Sequence, residues 1–350
     1  ATGMVGQRFL ALLENHPWFK VTTLAASANS AGKTYKDAVA GRWAMKMPIP
    51  AAVASMKVLN ASAIDEIAGS VDFVFCAVDM PKDDTRKLEE DYAKREIPVV
   101  SNNSAHRSTA DVPMMIPEIN ADHAAIIAHQ RKRLGTQRGF IAVKPNCSLQ
   151  SYVPALDPLM AFGPRDVFVC TYQAISGAGK TFATWPEMVD NVIPFIKGEE
   201  QKSEEEPMKI WGKLEGGKIV AATSPRISAQ CIRVPASDGH LAAVFVRFEK
   251  KPTQEQILEC WKKAAGKPQQ LKLPSAPVPY LTYFSEENRP QTKLDRDAGG
   301  GMGITIGRLR PDTIYDYKFV CLSHNTVRGA AGGAVLTAEL LAAEGYIKAR

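Results

Sequence analysis

The side chain with the widest chemical reach in this sequence is a thiol. Cys147 stands in Pro145-Asn146-Cys147-Ser148, between an apolar strand-like run, Phe140 to Val143, and a helix-like stretch from Leu149 onward. A sulfur placed there lies near a helix N-terminus, where the peptide dipoles favour thiolate over thiol, and the thiolate is the attacking species in covalent catalysis. Cys76, Cys170 and Cys321 fall inside apolar strand-like runs and are expected in the core. A nucleophile of this kind works with a group that carries a proton. His16, His106, His123 and His129 fall on helical or loop segments of the N-terminal half and are expected at the surface. His240 follows a strand and a Gly turn in Arg233-Val234-Pro235-Ala236-Ser237-Asp238-Gly239-His240, a position from which it can face Cys147, and His324 stands beside a similar turn. The sequence has no Cys-x-x-Cys pair and no His at zinc-ligand spacing, so no metal site and no disulfide scaffold is expected. Reduced thiols point to a cytoplasmic location.

A second chemistry is anion binding. The chain opens on Ala1-Thr2-Gly3-Met4-Val5-Gly6-Gln7-Arg8-Phe9-Leu10, a glycine turn running into a helix with apolar residues at helical spacing through Leu13. Gly3 and Gly6 permit close backbone approach, and the free N–H groups from Thr2 to Val5 can hold a pyrophosphate. Such a turn normally follows an apolar strand. The expectation is a short strand ending in Gly upstream of Ala1, which would complete G-x-x-G-x-x-G, a variant dinucleotide-binding fingerprint. Lys20 to Ser27 reads as the second strand. A cofactor with a free ribose 2′-hydroxyl is usually gripped by an Asp or Glu at that strand's end. Here Ser27, Asn29, Ser30 and Lys33 follow instead, and hydroxyls with a cation suit a 2′-phosphate, which favours NADP. Gly32-Lys33-Thr34 and Gly179-Lys180-Thr181 each look like the end of a P-loop, but the earlier Gly that the motif needs is Ser27 in one case and Ala174 in the other. ATP hydrolysis is therefore not expected.

These groups need a scaffold, and 350 residues suffice for two domains with their own cores. Val71–Val78, Ile97–Asn102 and Phe140–Val143 read as further strands alternating with helices, the pattern of a doubly wound α/β domain with a parallel sheet. Val71–Val78 is continuous enough to be buried on both faces. After Cys147 the strand-like runs lengthen, at Val167–Ala174, Lys218–Val220, Ile227–Val234, Leu241–Phe248 and Tyr315–Leu322, which predicts an α+β domain with a mostly antiparallel sheet. Lys197–Lys209 is acidic and reads as an exposed connection, Pro274–Pro279 as an extended loop, and Thr326–Ile347 as a helix returning to the first domain. With 45% hydrophobic and 23% charged residues the chain is a globular protein and not a disordered one, and no apolar run approaches the roughly 20 residues that span a bilayer. The formal charge of +6 suits an anionic ligand, but it is spread along the chain and no basic stretch is interleaved with aromatics, so no nucleic-acid partner is expected.

Five motifs, in order along the chain, carry a resemblance. They are Pro145–Ser148, Tyr172-Gln173-Ala174-Ile175-Ser176-Gly177-Ala178-Gly179-Lys180, Glu205-Glu206-Pro207-Met208-Lys209, Arg233–His240, and His324-Asn325-Thr326-Val327-Arg328-Gly329-Ala330-Ala331-Gly332. Together they resemble the aspartate-semialdehyde dehydrogenases, in particular the fungal and archaeal branch, over essentially the whole chain.

The resemblance implies a Rossmann-like NADP-binding domain, residues 1–146 plus 326–350, and a catalytic and dimerisation domain, 147–325. It implies catalytic roles for Cys147 as nucleophile, His240 as acid/base and Gln173 as the residue orienting the intermediate. Arg233 would grip the substrate α-carboxylate and Glu206 its ammonium, with Asn146 also at the substrate, while Arg107 and Lys209 would hold phosphate. Thr2, Gly3, Met4, Val5, Ser27, Ser30, Lys33, Ser176, Gly177, Gly179, Asn325 and Thr326 are the implied cofactor-binding residues. The implied partners are a small-molecule substrate, inorganic phosphate and a second or further copies of the chain, as homodimer or homotetramer. The nearest rival is a reductase of another acyl phosphate or thioester, such as N-acetylglutamyl phosphate or malonyl-CoA; Glu206 speaks against it, because a free ammonium calls for a carboxylate. From a different class comes a non-catalytic NADP-binding module whose thiol is structural.

Overall fold

Short apolar runs bounded by Gly, Pro or Asn become strands only where neighbours accept their backbone hydrogen bonds. The computed structural model describes residues 1–350 and sorts these runs into two regions. In the N-terminal region β1 (Leu24–Ala26) pairs in parallel with β2 (Val58–Asn60), while β3 (Val74–Cys76), β4 (Val99–Ser101) and β5 (Ile141–Val143) form a parallel sheet of three. The helices of eight residues or more are α1 (Met4–Leu13), α2 (Lys82–Lys94), α3 (Ile127–Leu134), α4 (Leu149–Leu156), α5 (Glu199–Ile210), α6 (Gln254–Lys263) and α7 (Gly332–Ala343). Alternation along β4 and β5 sends Val99, Ile141 and Val143 into one core with Leu88 and Tyr92 of α2. Val100 and Ala142 enter another with Phe9 and Leu13 of α1 and Val335 and Leu336 of α7. Both faces are thus covered by helices, as a parallel α/β sheet requires.

β1 and β3 face each other without pairing. Between them lies a cavity of about 890 Å³ lined by Leu24, Ala26, Val74, Phe75 and Leu10, among others. β3, expected to be buried on both faces, is half-buried because it fronts this cavity. The strand expected ahead of the Gly3 turn concerns residues before Ala1 and lies outside the described residues.

The second region is a six-stranded sheet in the order β11-β12-β13-β10-β6-β9, with a hairpin of β7 (Lys213–Glu215) and β8 (Lys218–Val220) beside it. Its strands are β6 (Pro164–Gln173), β9 (Arg226–Arg233), β10 (His240–Phe248), β11 (Leu281–Phe284), β12 (Ile304–Pro311) and β13 (Tyr317–Ser323). The pairs β12–β13, β13–β10 and β10–β6 are antiparallel, while β6–β9 and β11–β12 are parallel, so the sheet is mostly antiparallel. β12 escapes a reading of alternation because Arg308 is left-handed (φ 62) and the register shifts between Gly307 and Arg310. Lys197–Lys209 corrects a second expectation: it is not an exposed connection but most of α5, with Glu199, Ser203, Glu206, Pro207 and Ile210 buried. Its inward face is polar because its partners are polar, so the apolar stripe that marks a packed helix is missing.

Strand direction gathers the chemistry at one end of this sheet. β6 and β9 run parallel and end side by side at Gln173 and Arg233, while antiparallel β10 begins there at His240, opposite Ser323 at the end of β13. All eight residues of α4 are buried against the sheet, which fixes the segment carrying Cys147 at the same end. On the inward face of α6, Trp261 is 1% exposed, stacks on Tyr283 at 5.7 Å, meets Phe319 edge-on at 5.1 Å and donates through Nε1 to the Ala155 carbonyl of α4 at 2.8 Å. Trp261→Ala opens a cavity and orphans that carbonyl, so the unfolding free energy measured in urea should fall by about 3–5 kcal/mol. A loss under about 1 kcal/mol would contradict this packing.

Candidate active site

The setting of the candidate nucleophile, Cys147, begins with Asn146. Its Oδ1 accepts from the Ser148 amide at 2.8 Å and the Ser148 hydroxyl at 2.7 Å, a local turn that leads the chain from β5 into α4. Cys147 sits on that turn, partly exposed, with Sγ 3.4 Å from Nε2 of His240. Two glycines let the groups come this close. A Cβ on Gly329 would lie 2.9 Å from Cys147 Cβ, and one on Gly177 would lie 3.0 Å from Arg233 Nη1 and 3.1 Å from His240 Nε2.

His240 is fully buried, and its other nitrogen, Nδ1, accepts from the Ala174 amide at 3.1 Å. An amide N–H can only donate, so Nδ1 carries the lone pair and Nε2 carries the proton, which points at the sulfur; the tautomer is assigned from this network. Burial, and after it the Arg233 guanidinium, push the imidazole pKa down to about 3, so the ring is neutral at pH 7. The Cys147 thiol departs from the expectation of a dipole-favoured thiolate. Burial raises its pKa, the Glu199 carboxylate raises it further, and Lys144, Arg107 and Arg233 oppose the rise.

Around this pair the structure gathers the other residues expected at the substrate. Gln173, 1% exposed, accepts on Oε1 from Thr171 Oγ1 at 3.0 Å and donates from Nε2 to Glu199 at 3.2 Å. Arg233 Nη1 donates to the Ala174 carbonyl at 2.6 Å, so the residue that sets the imidazole tautomer also anchors the guanidinium. Glu206 accepts from Arg107 Nη1 at 3.0 Å on one oxygen and from the Asn146 amide at 2.6 Å on the other. Arg107 also donates from Nε to Lys144 O and from Nη2 to Asn102 O, which leaves two of its five N–H groups free of protein partners. Lys209 donates to the Arg107 and Thr109 carbonyls, both at 2.7 Å, and burial lowers its pKa to about 8.

The residues expected at the cofactor fall into two groups. α1 starts at Gly3 with no side-chain cap and no acidic residue in its first turn, so the leading N–H groups near Thr2, Met4 and Val5 can take an anion. In the turn after β1, Ser27 and Lys33 are exposed and Ser30 is buried, and the neighbouring Asp37 is engaged by the Thr34 hydroxyl at 2.6 Å. The exposed Ser27 hydroxyl and Lys33 ammonium can receive a further phosphate. The second group lies by the nucleophile: Asn325 accepts from the Gly239 amide at 2.8 Å and donates to Ser176 Oγ at 2.9 Å, next to Gly177. Gly179 closes the turn that follows Gly177, with φ +67. Arg8 of α1 donates to Thr326 Oγ1 at 3.2 Å and so joins the two groups.

Several sequence expectations need correction. His106 and His123 are buried, not at the surface; each ring nitrogen has a polar partner, which is what lets an imidazole sit in the interior. His16 pairs with the buried Glu339 carboxylate at 2.7 Å, while His129 is exposed. Cys76 and Cys321 are core residues, but Cys170 is half-buried because it lies on the face of β6 that no helix covers. Glu199 and Lys144 were missed. Glu199 lies 7 residues before Glu206 and 10 before Lys209, two and three helical turns away on one face, a spacing visible once the segment is read as a helix. Lys144 is 2% exposed and donates from Nζ to the Pro145 carbonyl.

Comparison with known proteins agrees in order and extent. Residues 1–127 match the semialdehyde dehydrogenase NAD-binding domain and residues 156–328 the semialdehyde dehydrogenase dimerisation domain. The aspartate-semialdehyde dehydrogenase of Archaeoglobus fulgidus is 44% identical, covering 99% of this chain and 97% of that protein, and that of Aspergillus fumigatus is 39% identical, covering 99% and 96%. A solved structure of the Candida albicans aspartate semialdehyde dehydrogenase with NADP superposes with a TM-score of 0.88 at 35% identity, covering 99% of this chain and 97% of that one. The chain belongs to the aspartate-semialdehyde dehydrogenase family.

Proposed function

We propose that the chain interconverts L-aspartate 4-semialdehyde and L-4-aspartyl phosphate, using NADP and inorganic phosphate, through an acyl bond to Cys147. The observation that carries this reading is the 3.4 Å approach of Cys147 Sγ to His240 Nε2, with Gln173 and Arg233 at the same strand ends and Glu206, Arg107 and Lys209 joined beside it. Residues 1–146 with 326–350 form the cofactor domain, and 147–325 the catalytic one. Thr2, Gly3, Met4 and Val5 hold the NADP pyrophosphate, Ser27, Ser30 and Lys33 its 2′-phosphate, and Ser176, Gly177, Gly179, Asn325 and Thr326 the nicotinamide end, whose ring supplies the hydride acceptor of the oxidation.

The chain's own groups follow from the geometry. With Nη1 on the Ala174 carbonyl, Arg233 keeps Nε and Nη2 for the substrate carboxylate, and Glu206 offers its remaining lone pairs to the ammonium. The Cys147 proton leaves to solvent, because Nε2 of His240 already bears one, and the cations Lys144, Arg107 and Arg233 favour the resulting thiolate. Attack on the aldehyde carbon forms the C–S bond and pushes the carbonyl electrons onto oxygen; the Nε2–H donates to that oxyanion. His240 thus acts as a donor that stabilises charge, and the acid/base role implied by resemblance narrows to this half. After oxidation the thioester is attacked by phosphate held at Arg107 and Lys209, the same N–H steadies the new oxyanion, and the thiolate departs. Pairing of two copies engages the uncovered face of β6 and β10, where Phe168, Tyr172 and Phe245 are half-buried or exposed in a protein that presents no helix over them.

NADPH formation from aspartate semialdehyde should require phosphate, and Cys147→Ser should lower kcat by about a thousandfold or more. A phosphate-independent rate, or a Ser variant as active as wild type, would sink the proposal. Lys209 supplies its charge only while protonated, so the KM for phosphate should climb as pH rises through about 8. In Lys209→Arg, whose guanidinium stays charged, that climb should disappear from this range; an unchanged profile would remove Lys209 from the phosphate site.

A further inference from the structure

Two carboxamides flank the nucleophile, and a carboxamide offers a donor or an acceptor according to how it is turned. Glu199 decides both. Asn146 Nδ2 lies 3.0 and 2.9 Å from its two oxygens, and Gln173 Nε2 lies 3.2 Å from one of them. The opposite ends of both amides receive donors: Asn146 Oδ1 from Ser148, and Gln173 Oε1 from Thr171. Neither amide can flip without facing like poles together. Glu199 is 7% exposed and is the first residue of α5, after Gly198 at φ +70, so the helix N-terminus favours its charge. Lys202, one turn on and partly exposed, donates to it at 2.8 Å from the outer side. No hydrogen bond joins Glu199 to Cys147, His240 or Arg233.

We propose that Glu199 is a positioning residue: it locks Asn146 so that its oxygen shapes the turn carrying Cys147, and locks Gln173 so that one N–H stays available to the substrate beside the sulfur. The proposal rests on Cys147 being the nucleophile. A carboxylate in this place has an electrostatic effect that packing alone would not have. The groups around Cys147 are His240 from β10, Arg233 from β9, Arg107 from the loop after β4, Lys144 from the end of β5, and Glu199 and Glu206 from α5; Glu206 is paired with Arg107 at 3.0 Å, and Glu199 is the carboxylate that most opposes the thiolate. Removing its charge therefore makes the thiol ionise at lower pH, and removing Lys202 leaves that charge less neutralised and acts the other way.

The test is the pH dependence of Cys147 alkylation by iodoacetamide, read by mass spectrometry of the Cys147 peptide, together with kcat and KM. In Glu199→Gln the alkylation midpoint should move to lower pH and kcat should fall by about ten- to a hundredfold, because the NH2 that replaces one carboxylate oxygen turns a donor toward the Asn146 Nδ2 and Lys202 Nζ donors. Glu199→Asp keeps the charge and should leave the midpoint near wild type. In Lys202→Met, an outer-face change that serves if Glu199→Gln does not fold, the midpoint should move to higher pH. An unchanged midpoint in either charge variant, shifts of the same sign in both, or wild-type kcat in Glu199→Gln would overturn the proposal. Failure of the nucleophile assignment would look different: Cys147→Ser would remain active whatever the alkylation profiles show.

Discussion

The Ala174 amide donates to Nδ1 of His240, and the rest of the site depends on that bond. It puts the imidazole proton on Nε2, aims it at Cys147, and leaves protonation of the ring no place to go without breaking the bond. Burial of the ring acts in the same direction. The fold provides the bond through strand register. Ala174 follows the last residue of β6, His240 opens the antiparallel neighbour β10, and Arg233 closes the parallel neighbour β9, so an amide, an imidazole and a guanidinium meet without any long loop having to be held in place. Sites built on strand ends keep their geometry because every residue of the ladder enforces it.

The second constraint is charge. Lys144, Arg107 and Arg233 surround a thiol whose burial disfavours ionisation, and two carboxylates, Glu199 and Glu206, are each tied up by amides or a guanidinium. A buried carboxylate is tolerable when its lone pairs are satisfied, and here its donors are the groups that must be oriented. The same hydrogen bonds that pay for burying the charge thus set the geometry of Asn146, Gln173 and Arg107. Burial and Glu199 thus favour the protonated thiol, and the cations already in place oppose them.

Much of this was legible in the residues. Cys147 was recognisable from its place between an apolar run and a helix start, and the alternation of long runs after it marked the second sheet. What stayed hidden had physical causes. α5 presents a polar face to a polar site, so its periodicity is not one of hydrophobicity; Glu199 was lost with it. β12 breaks its own alternation at a left-handed Arg308. His106 and His123 looked like surface residues because one buried partner of each, the Arg86 carbonyl and the Gly212 carbonyl, is distant in the chain and leaves no local trace. The direction of the Cys147 shift depends on the sum of burial and four charges, Glu199, Lys144, Arg107 and Arg233, from separate elements, which no spacing along the chain reports.

The site depends on the protonation of one ring, and nitrogen-15 NMR of the His240 side chain in the whole protein, assigned by comparison with His240→Asn, measures it directly. At pH 7 the spectrum should show a neutral ring with hydrogen on Nε2 and a bare Nδ1, unchanged as the pH is lowered past the ordinary histidine value of about 6.5. A ring protonated on Nδ1, or one that becomes imidazolium near that value, would contradict the account.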